Sequence, residues 1–303
     1  MHKIAVVFSG QGSQSAGMGK DLYNNFKSSR DIFIAAEKLR GGTIAQCFEG
    51  SKEELSKTSN TQPCLFTVDV AAYAALKESG ISAEGFAGFS LGELAAVVCG
   101  GMLDFEQGFK LVCQRAQIMD TQQGGAMAAV LKLSSSEVEK LCNSIKDVYP
   151  VNYNCPGQTV VAGSMQSIDK LIAEVAAMGG RAVKLAVSGA FHSPFMEEAY
   201  IQFSEVLGGY KFSAPQAPIY SNVTAKPYDD DAVRLLSLQV KSAVLWQKTI
   251  ENMIADGFDT FIEAGWGNTL LNLIKRISEN VNVFSATNYE EILRIKQTIK
   301  KDA

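Results

Sequence analysis

Phe86-Ala87-Gly88-Phe89-Ser90-Leu91-Gly92-Glu93 contains Gly-x-Ser-x-Gly, the pattern of a nucleophile elbow, in which a strand turns sharply into a helix and presents a serine at the bend. The two glycines answer a steric need, because a Cβ beside so tight a bend collides with the neighbouring strand or helix. The context agrees: a short apolar strand precedes Ser90, and a helix-forming run, Glu93 to Cys99, follows it. Taken alone, the five residues equally describe a glycine-bracketed turn with an ordinary serine.

Composition narrows the classes around this stretch. The chain has 303 residues, 47% hydrophobic and 20% charged, which is the balance of a globular protein with a substantial core. A net charge of -4 gives no electrostatic reason to expect nucleic acid. No apolar run approaches the roughly 18 residues that span a bilayer. Ile4 to Phe8 is too short for a signal-peptide core. The six cysteines show no C-x-x-C pairing, so reduced core residues of a cytoplasmic protein are expected, with neither membrane nor nucleic acid as a partner.

Upstream of the elbow, Ile4-Ala5-Val6-Val7-Phe8 reads as a buried strand. It enters Ser9-Gly10-Gln11-Gly12-Ser13-Gln14, which fails the dinucleotide pattern at Ser15 and the P-loop pattern after Gly19-Lys20, where Asp21 stands for Ser or Thr. Two or three helices are predicted next. One is short and opens on the capping box Ser51-Lys52-Glu53-Glu54; a longer apolar one runs from Cys64 to Leu76, with Thr61-Gln62-Pro63 in its first turn. Downstream, a helix capped by Asp104 and Gln107 carries Phe105, Phe109, Val112, Ala116 and Met119 as an apolar stripe. Arg115 adjoins this stripe, where a snorkelling surface arginine is the default reading.

Between Ala126 and Val187 the rhythm becomes β-α-β-β-α-β, the ferredoxin-like split motif, which points to a small subdomain inserted into a larger α/β one. Ser188-Gly189-Ala190-Phe191-His192-Ser193-Pro194 closes it. The chain has two histidines, and His2 sits at the N-terminus. If Ser90 is activated by an imidazole, that base is His192; alone, His192 reads as a structural loop residue. The chain then returns to the large unit with strands at 218–222, 258–262 and 281–284 and helices between them. Gln239, near a helix end, is solvent-facing by default.

Five spaced segments, Ser9 to Gln14, Thr61 to Pro63, Gly88 to Glu93, Asn152 to Gly163 and Ala190 to Ser193, resemble the acyl-carrier-protein S-malonyltransferase family. Gly125 to Ala129 and Gln239 to Trp246 extend the likeness, which runs the length of the chain in the family's order. The resemblance implies an α/β-hydrolase-like large subdomain, residues 1–124 and 191–303, with residues 125–190 as the ferredoxin-like small one. It implies malonyl transfer from malonyl-CoA to the phosphopantetheine thiol of an acyl carrier protein through a seryl ester, with no cofactor; a monomer is expected. Ser90 matches the nucleophile and His192 the general base and acid. Gln239 matches a residue associated with histidine support, and the backbone N–H groups of Gln11 and Leu91 match the oxyanion hole. Arg115 matches the grip on the malonyl carboxylate, which reverses its surface reading. Phe191 matches a position where an aromatic accompanies malonyl selectivity, and Asn154 an asparagine near the bound thioester.

Three residues depart from the family pattern. Phe89 stands for the usual histidine before the nucleophile, Ser9 for a proline in the first loop, and Trp266 for proline in a Gly-Pro-Gly turn. Phe89 bears on the acyl range. Lys241 is a basic candidate for meeting an acidic carrier. The alternatives are a trans-acting acyltransferase of a polyketide synthase, a serine esterase, for which Arg115 has no use, and a non-catalytic binding subunit.

Overall fold

The computed structural model describes residues 2–122, 124–187, 189–228 and 231–301; Ser188 of the histidine loop lies outside them. In chain order, β1 (Ile4–Phe8) leads to α1 (Lys20–Asn25), α2 (Lys27–Leu39), α3 (Thr43–Glu49), α4 (Lys52–Ser56) and α5 (Thr58–Glu78). Next, β2 (Gly85–Gly88) turns into α6 (Leu91–Cys99), and α7 (Phe105–Asp120) follows. A second group holds β3 (Ala126–Leu131), α8 (Ser135–Ser144), β4 (Val148–Cys155), β5 (Gln158–Gly163), α9 (Met165–Ala177) and β6 (Arg181–Lys184). After a 3-10 turn at Pro194–Met196 come α10 (Glu197–Leu207), β7 (Ile219–Tyr220), α11 (Ala232–Gln239), α12 (Trp246–Ala255), β8 (Thr260–Ala264), α13 (Thr269–Ile277), β9 (Asn282–Ala286) and α14 (Tyr289–Lys301).

Every residue of β1 is buried, because β1 is the middle strand of a five-stranded sheet ordered β7-β2-β1-β8-β9 with all pairings parallel. Parallel strands need crossover helices, which cover both faces and leave no polar side to the strand. Val6 and Phe8 face a core shared with α5, α6 and α7, while Ala5 and Val7 face one built around Trp246, Ile250, Phe258 and Phe261. The second sheet is antiparallel, ordered β4-β5-β3-β6. It has its own core, in which Val130, Val138, Val161, Ile168 and Leu171 are fully buried.

The two sheets are joined at β4. Val244, just before α12, donates its N–H to Val151 at 2.8 Å and accepts from the N–H of Tyr153 at 2.9 Å. Arg276 of α13 reaches the β4–β5 turn, donating to Gln158 Oε1 at 2.6 Å and to the Pro156 carbonyl at 3.0 Å.

The structure corrects several expectations. Five helices, not two or three, separate β1 from β2. Two of them, α1 and α3, start on Gly19 and Gly42 in the left-handed region (φ 75° and 87°) without a side-chain cap, so the usual Ser/Thr/Asp signal is missing. Pro63 lies inside α5, which begins at Thr58 behind an uncapped Lys57. β6 stops at Lys184 and β7 has two residues, and Glu263 belongs to β8, not to the turn after it. Among the described residues, no helix is long and apolar enough to cross a membrane.

Candidate active site

The elbow is built by contacts that forbid side chains. A Cβ on Gly88 would lie 2.0 Å from the Gly92 backbone, and one on Gly92 would lie 2.1 Å from the Phe8 carbonyl oxygen. Between them Ser90 has φ 53° and ψ −101°, a conformation a non-glycine residue holds only when its surroundings over-determine it. Those surroundings include Asn222, two residues after β7. Its Oδ1 accepts from the Ser90 N–H at 2.7 Å, and its Nδ2 donates to the Gly88 carbonyl at 2.6 Å. Asn222 escapes sequence reading; its one signal is a polar residue at the end of an apolar strand.

His192 is brought against this turn across a separation of 102 residues, with Nε2 2.8 Å from Ser90 Oγ. Its other ring nitrogen, Nδ1, is 2.8 Å from the Gln239 carbonyl oxygen. A carbonyl can only accept, so Nδ1 carries the proton and Nε2 is free to accept from the serine. His192 itself has φ 62°, so both partners in the contact are backbone outliers. Burial, with the Arg115 cation second, lowers the His192 pKa to about 4, against hydrogen bonds to the backbone at Gln239 and Ser242. At neutral pH the imidazole is therefore a neutral base. Gln239 is buried, not solvent-facing, and holds the histidine through its main chain.

Arg115 is fully buried on the inner stripe of α7, which overturns its default reading as a surface residue. Nη1 donates to Gln62 Oε1 at 2.8 Å; Nη2 donates to Gln239 Oε1 at 2.9 Å and to Ser90 Oγ at 3.2 Å. Its Nε is buried without a partner. Burial lowers the Arg115 pKa to about 10, with Glu93 opposing, so the guanidinium stays charged. Among the described residues no carboxylate pairs with it directly. Gln62, inside α5, is thus part of the site, and Gln11 joins it: Gln62 Nε2 donates to Gln11 Oε1 at 3.3 Å, and Gln11 Nε2 to Thr58 Oγ1 at 3.4 Å.

The loop after β1 presses on the elbow, since a Cβ on Gly10 would lie 2.6 Å from the Phe89 carbonyl oxygen. Leu91 opens α6, so its N–H has no intrahelical carbonyl to meet. Phe191 is buried against Gly189, where a Cβ would stand 3.1 Å from its ring. Asn154 is buried on β4 with Oδ1 unpartnered, as is Asn152.

Comparison with known proteins agrees with this geometry. A family model described as acyl transferase domain matches residues 5–292. Malonyl CoA-acyl carrier protein transacylase of Bacillus subtilis strain 168 is 36% identical over 314 residues, covering 100% of this chain and 99% of that protein. The chain belongs to the malonyl CoA-acyl carrier protein transacylase family. The solved malonyl CoA-acyl carrier protein transacylase of Clostridium perfringens superposes with a TM-score of 0.96 at 33% identity, covering 99% of this chain and 98% of that one. A malonyl-transacylase solved in complex with a type II PKS acyl-carrier protein gives 0.94 at 32%, covering 98% and 99%.

Within this family the three departures have visible surroundings. The Phe89 ring packs edge-on to Trp246, centroids 5.7 Å apart, in the core on the face of the large sheet away from α5, α6 and α7. Ser9 is buried with Oγ 3.4 Å from Asp69 Oδ1, and Trp266 Nε1 donates to Ser15 Oγ at 2.8 Å. Both substitutions therefore add side-chain hydrogen bonds to the loop after β1. Lys241 is paired with Glu197 at 2.8 Å and lies over the Tyr200 ring at 3.6 Å, which weakens it as a free basic contact.

Proposed function

We propose that this protein transfers malonyl from malonyl-CoA to the phosphopantetheine thiol of an acyl carrier protein, as in fatty-acid biosynthesis. One observation carries the reading: a fully buried, charged Arg115 lies 3.2 Å from the hydroxyl of Ser90. A buried cation beside a nucleophile suits an acyl group that ends in a carboxylate. The names of the relatives support the same substrate pair.

In the first half-reaction Ser90 Oγ attacks the thioester carbonyl while His192 Nε2 takes its proton. The Gln239 carbonyl steadies the imidazolium, as a neutral acceptor in place of the more usual carboxylate. The N–H groups of Gln11 and Leu91 face the developing oxyanion. Collapse breaks the C–S bond, and His192 returns the proton to the coenzyme A sulfur. The carrier thiol then gives its proton to His192 and attacks the ester, and Ser90 leaves with that proton. Thioester-to-ester-to-thioester exchange is redox-neutral, so it requires no cofactor. Phe191 narrows the pocket beside the malonyl C2, and Asn154 stands near the thioester.

We read residues 1–124 and 191–303 as the α/β-hydrolase-like subdomain and 125–190 as the ferredoxin-like one. The strand order β6-β3-β5-β4 and the β-α-β-β-α-β succession support the second part. We read the protein as a monomer, and its six unbridged cysteines fit a cytoplasmic location. A polyketide carrier is the second reading, favoured by the relative solved with such a partner.

Mass spectrometry of the protein mixed with malonyl-CoA tests the proposal. A malonyl adduct is expected on Ser90 and is expected to vanish in Ser90→Ala. An unmodified wild type, or an adduct that survives the substitution, sinks it.

A further inference from the structure

Glu93 lies fully buried in the first turn of α6, and its two oxygens face opposite halves of the site. Oε1 accepts from the Tyr228 hydroxyl at 2.5 Å and from the Asn222 N–H at 3.2 Å. Oε2 accepts from Gln239 Nε2 at 2.6 Å. Asn222 is the residue whose amide holds the Ser90 N–H and the Gly88 carbonyl. Gln239 gives its side-chain oxygen to Arg115, its Nε2 also to the Ser90 carbonyl, and its main-chain carbonyl to His192.

Three donors converge on Glu93, the Asn222 N–H, the Gln239 NH2 and the Tyr228 hydroxyl, and the carboxylate accepts from all three with no proton of its own to place. Neutral Glu93 with its proton on Oε2 would set it against the Gln239 NH2, and with its proton on Oε1 it would turn the Tyr228 hydroxyl from donor to acceptor. A turned Gln239 amide would then oppose donor to donor at Arg115. We propose that Glu93 is a positioning residue, acting as a carboxylate that sets Asn222, and so Ser90, on one side and Gln239, and so Arg115 and His192, on the other.

The titratable and charged groups around it are Tyr228 and Arg115, with His192 one residue further through Gln239. Burial pushes Glu93 up to about 7, while Tyr228, Gln239, Asn222 and Arg115 pull the other way. Burial and Glu93 raise Tyr228 as well, so it remains a donor.

This inference rests on the acyl-transfer reading of the site, and one pH series separates the two. The rate constant kcat/KM for acylation by malonyl-CoA is measured from pH 5.5 to 8.5 in wild type, Glu93→Gln and Tyr228→Phe, alongside inactivation by a serine-directed fluorophosphonate that needs no malonyl group. Glutamine imitates the neutral acid. The wild-type to Glu93→Gln ratio is therefore expected near unity at the acid end and roughly tenfold or more at the alkaline end, in both assays. A ratio near unity at every pH shows that the carboxylate sets neither side of the site and overturns the proposal. Tyr228→Phe removes one donor to the carboxylate, so the acid limb should move up by about half a pH unit or more; a limb that stays in place also overturns it, even if Glu93→Gln does not fold. No malonyl transfer in wild type, with the fluorophosphonate ratio still rising, would remove the substrate reading and leave Glu93 in its role.

Discussion

Arg115 has three hydrogen bonds to neutral partners, and among the described residues no carboxylate is bonded to it directly. A guanidinium so placed awaits an anion, because the charge is desolvated and Glu93, which reaches it only through Gln239, opposes that cost without a direct bond. Arg115→Ala is expected to lower kcat/KM for malonyl-CoA at least about 100-fold more than for acetyl-CoA; equal losses in the two assays would remove the carboxylate-binding role. The Phe89 ring, by contrast, is engaged with Trp246. The sequence pointed to Ser90, His192 and Arg115, but not to Asn222, Glu93 and Tyr228 as their supports. Those supports are ordinary polar residues whose meaning lies only in the atoms they meet.

At the scale of elements, the strand-turn-helix from β2 to α6 depends on two backbones approaching too closely for a methyl group. Gly92→Ala would drive its Cβ into the carbonyl of Phe8, 2.1 Å away, and towards that of Ser9 at 2.7 Å. Backbone cannot swing aside as a side chain does, so a loss of more than about 3 kcal/mol is expected in urea denaturation. Gly41→Ala, which meets nothing within 4 Å, is the control. A Gly92→Ala midpoint equal to that of the control would refute the steric account. Capped elements were legible: the Ser51–Glu54 and Asp104–Gln107 boxes both form. The helices that begin on left-handed glycines, and α5 with its uncapped start, were not, since nothing in their side chains announces the first turn.

For the whole molecule, buried titratable groups make stability depend on pH in opposing ways. Asp69 and Glu263 are raised, chiefly by burial, and Glu93 likewise to about 7. A carboxyl with a raised folded pKa contributes stability below its unfolded value that is lost as pH climbs through the folded one. His192, lowered to about 4, behaves oppositely: its contribution is complete above about 6.5 and is lost as pH falls towards 4. The two effects oppose each other between those limits, and above pH 6.5 Glu93 goes on titrating through about 7. Urea midpoints should therefore fall between pH 6.5 and 8, and fall less in Glu93→Gln; a midpoint that is flat or rising in wild type contradicts this.

The chain by itself determined what short-range sterics and periodicity dictate: a buried first strand, a glycine-bracketed turn at Ser90 and the β-α-β-β-α-β succession from β3 to β6. It also limited the choice of base, having one histidine besides His2. Tertiary structure alone decided that His192 meets Ser90 from 102 residues away, that Arg115 turns inward, and that Glu93, Asn222 and Gln239 join those three into one network. The physical reason is that a hydrogen bond between distant residues is settled by how sheets and helices pack. Packing depends on the whole set of buried side chains, which no single stretch of sequence contains.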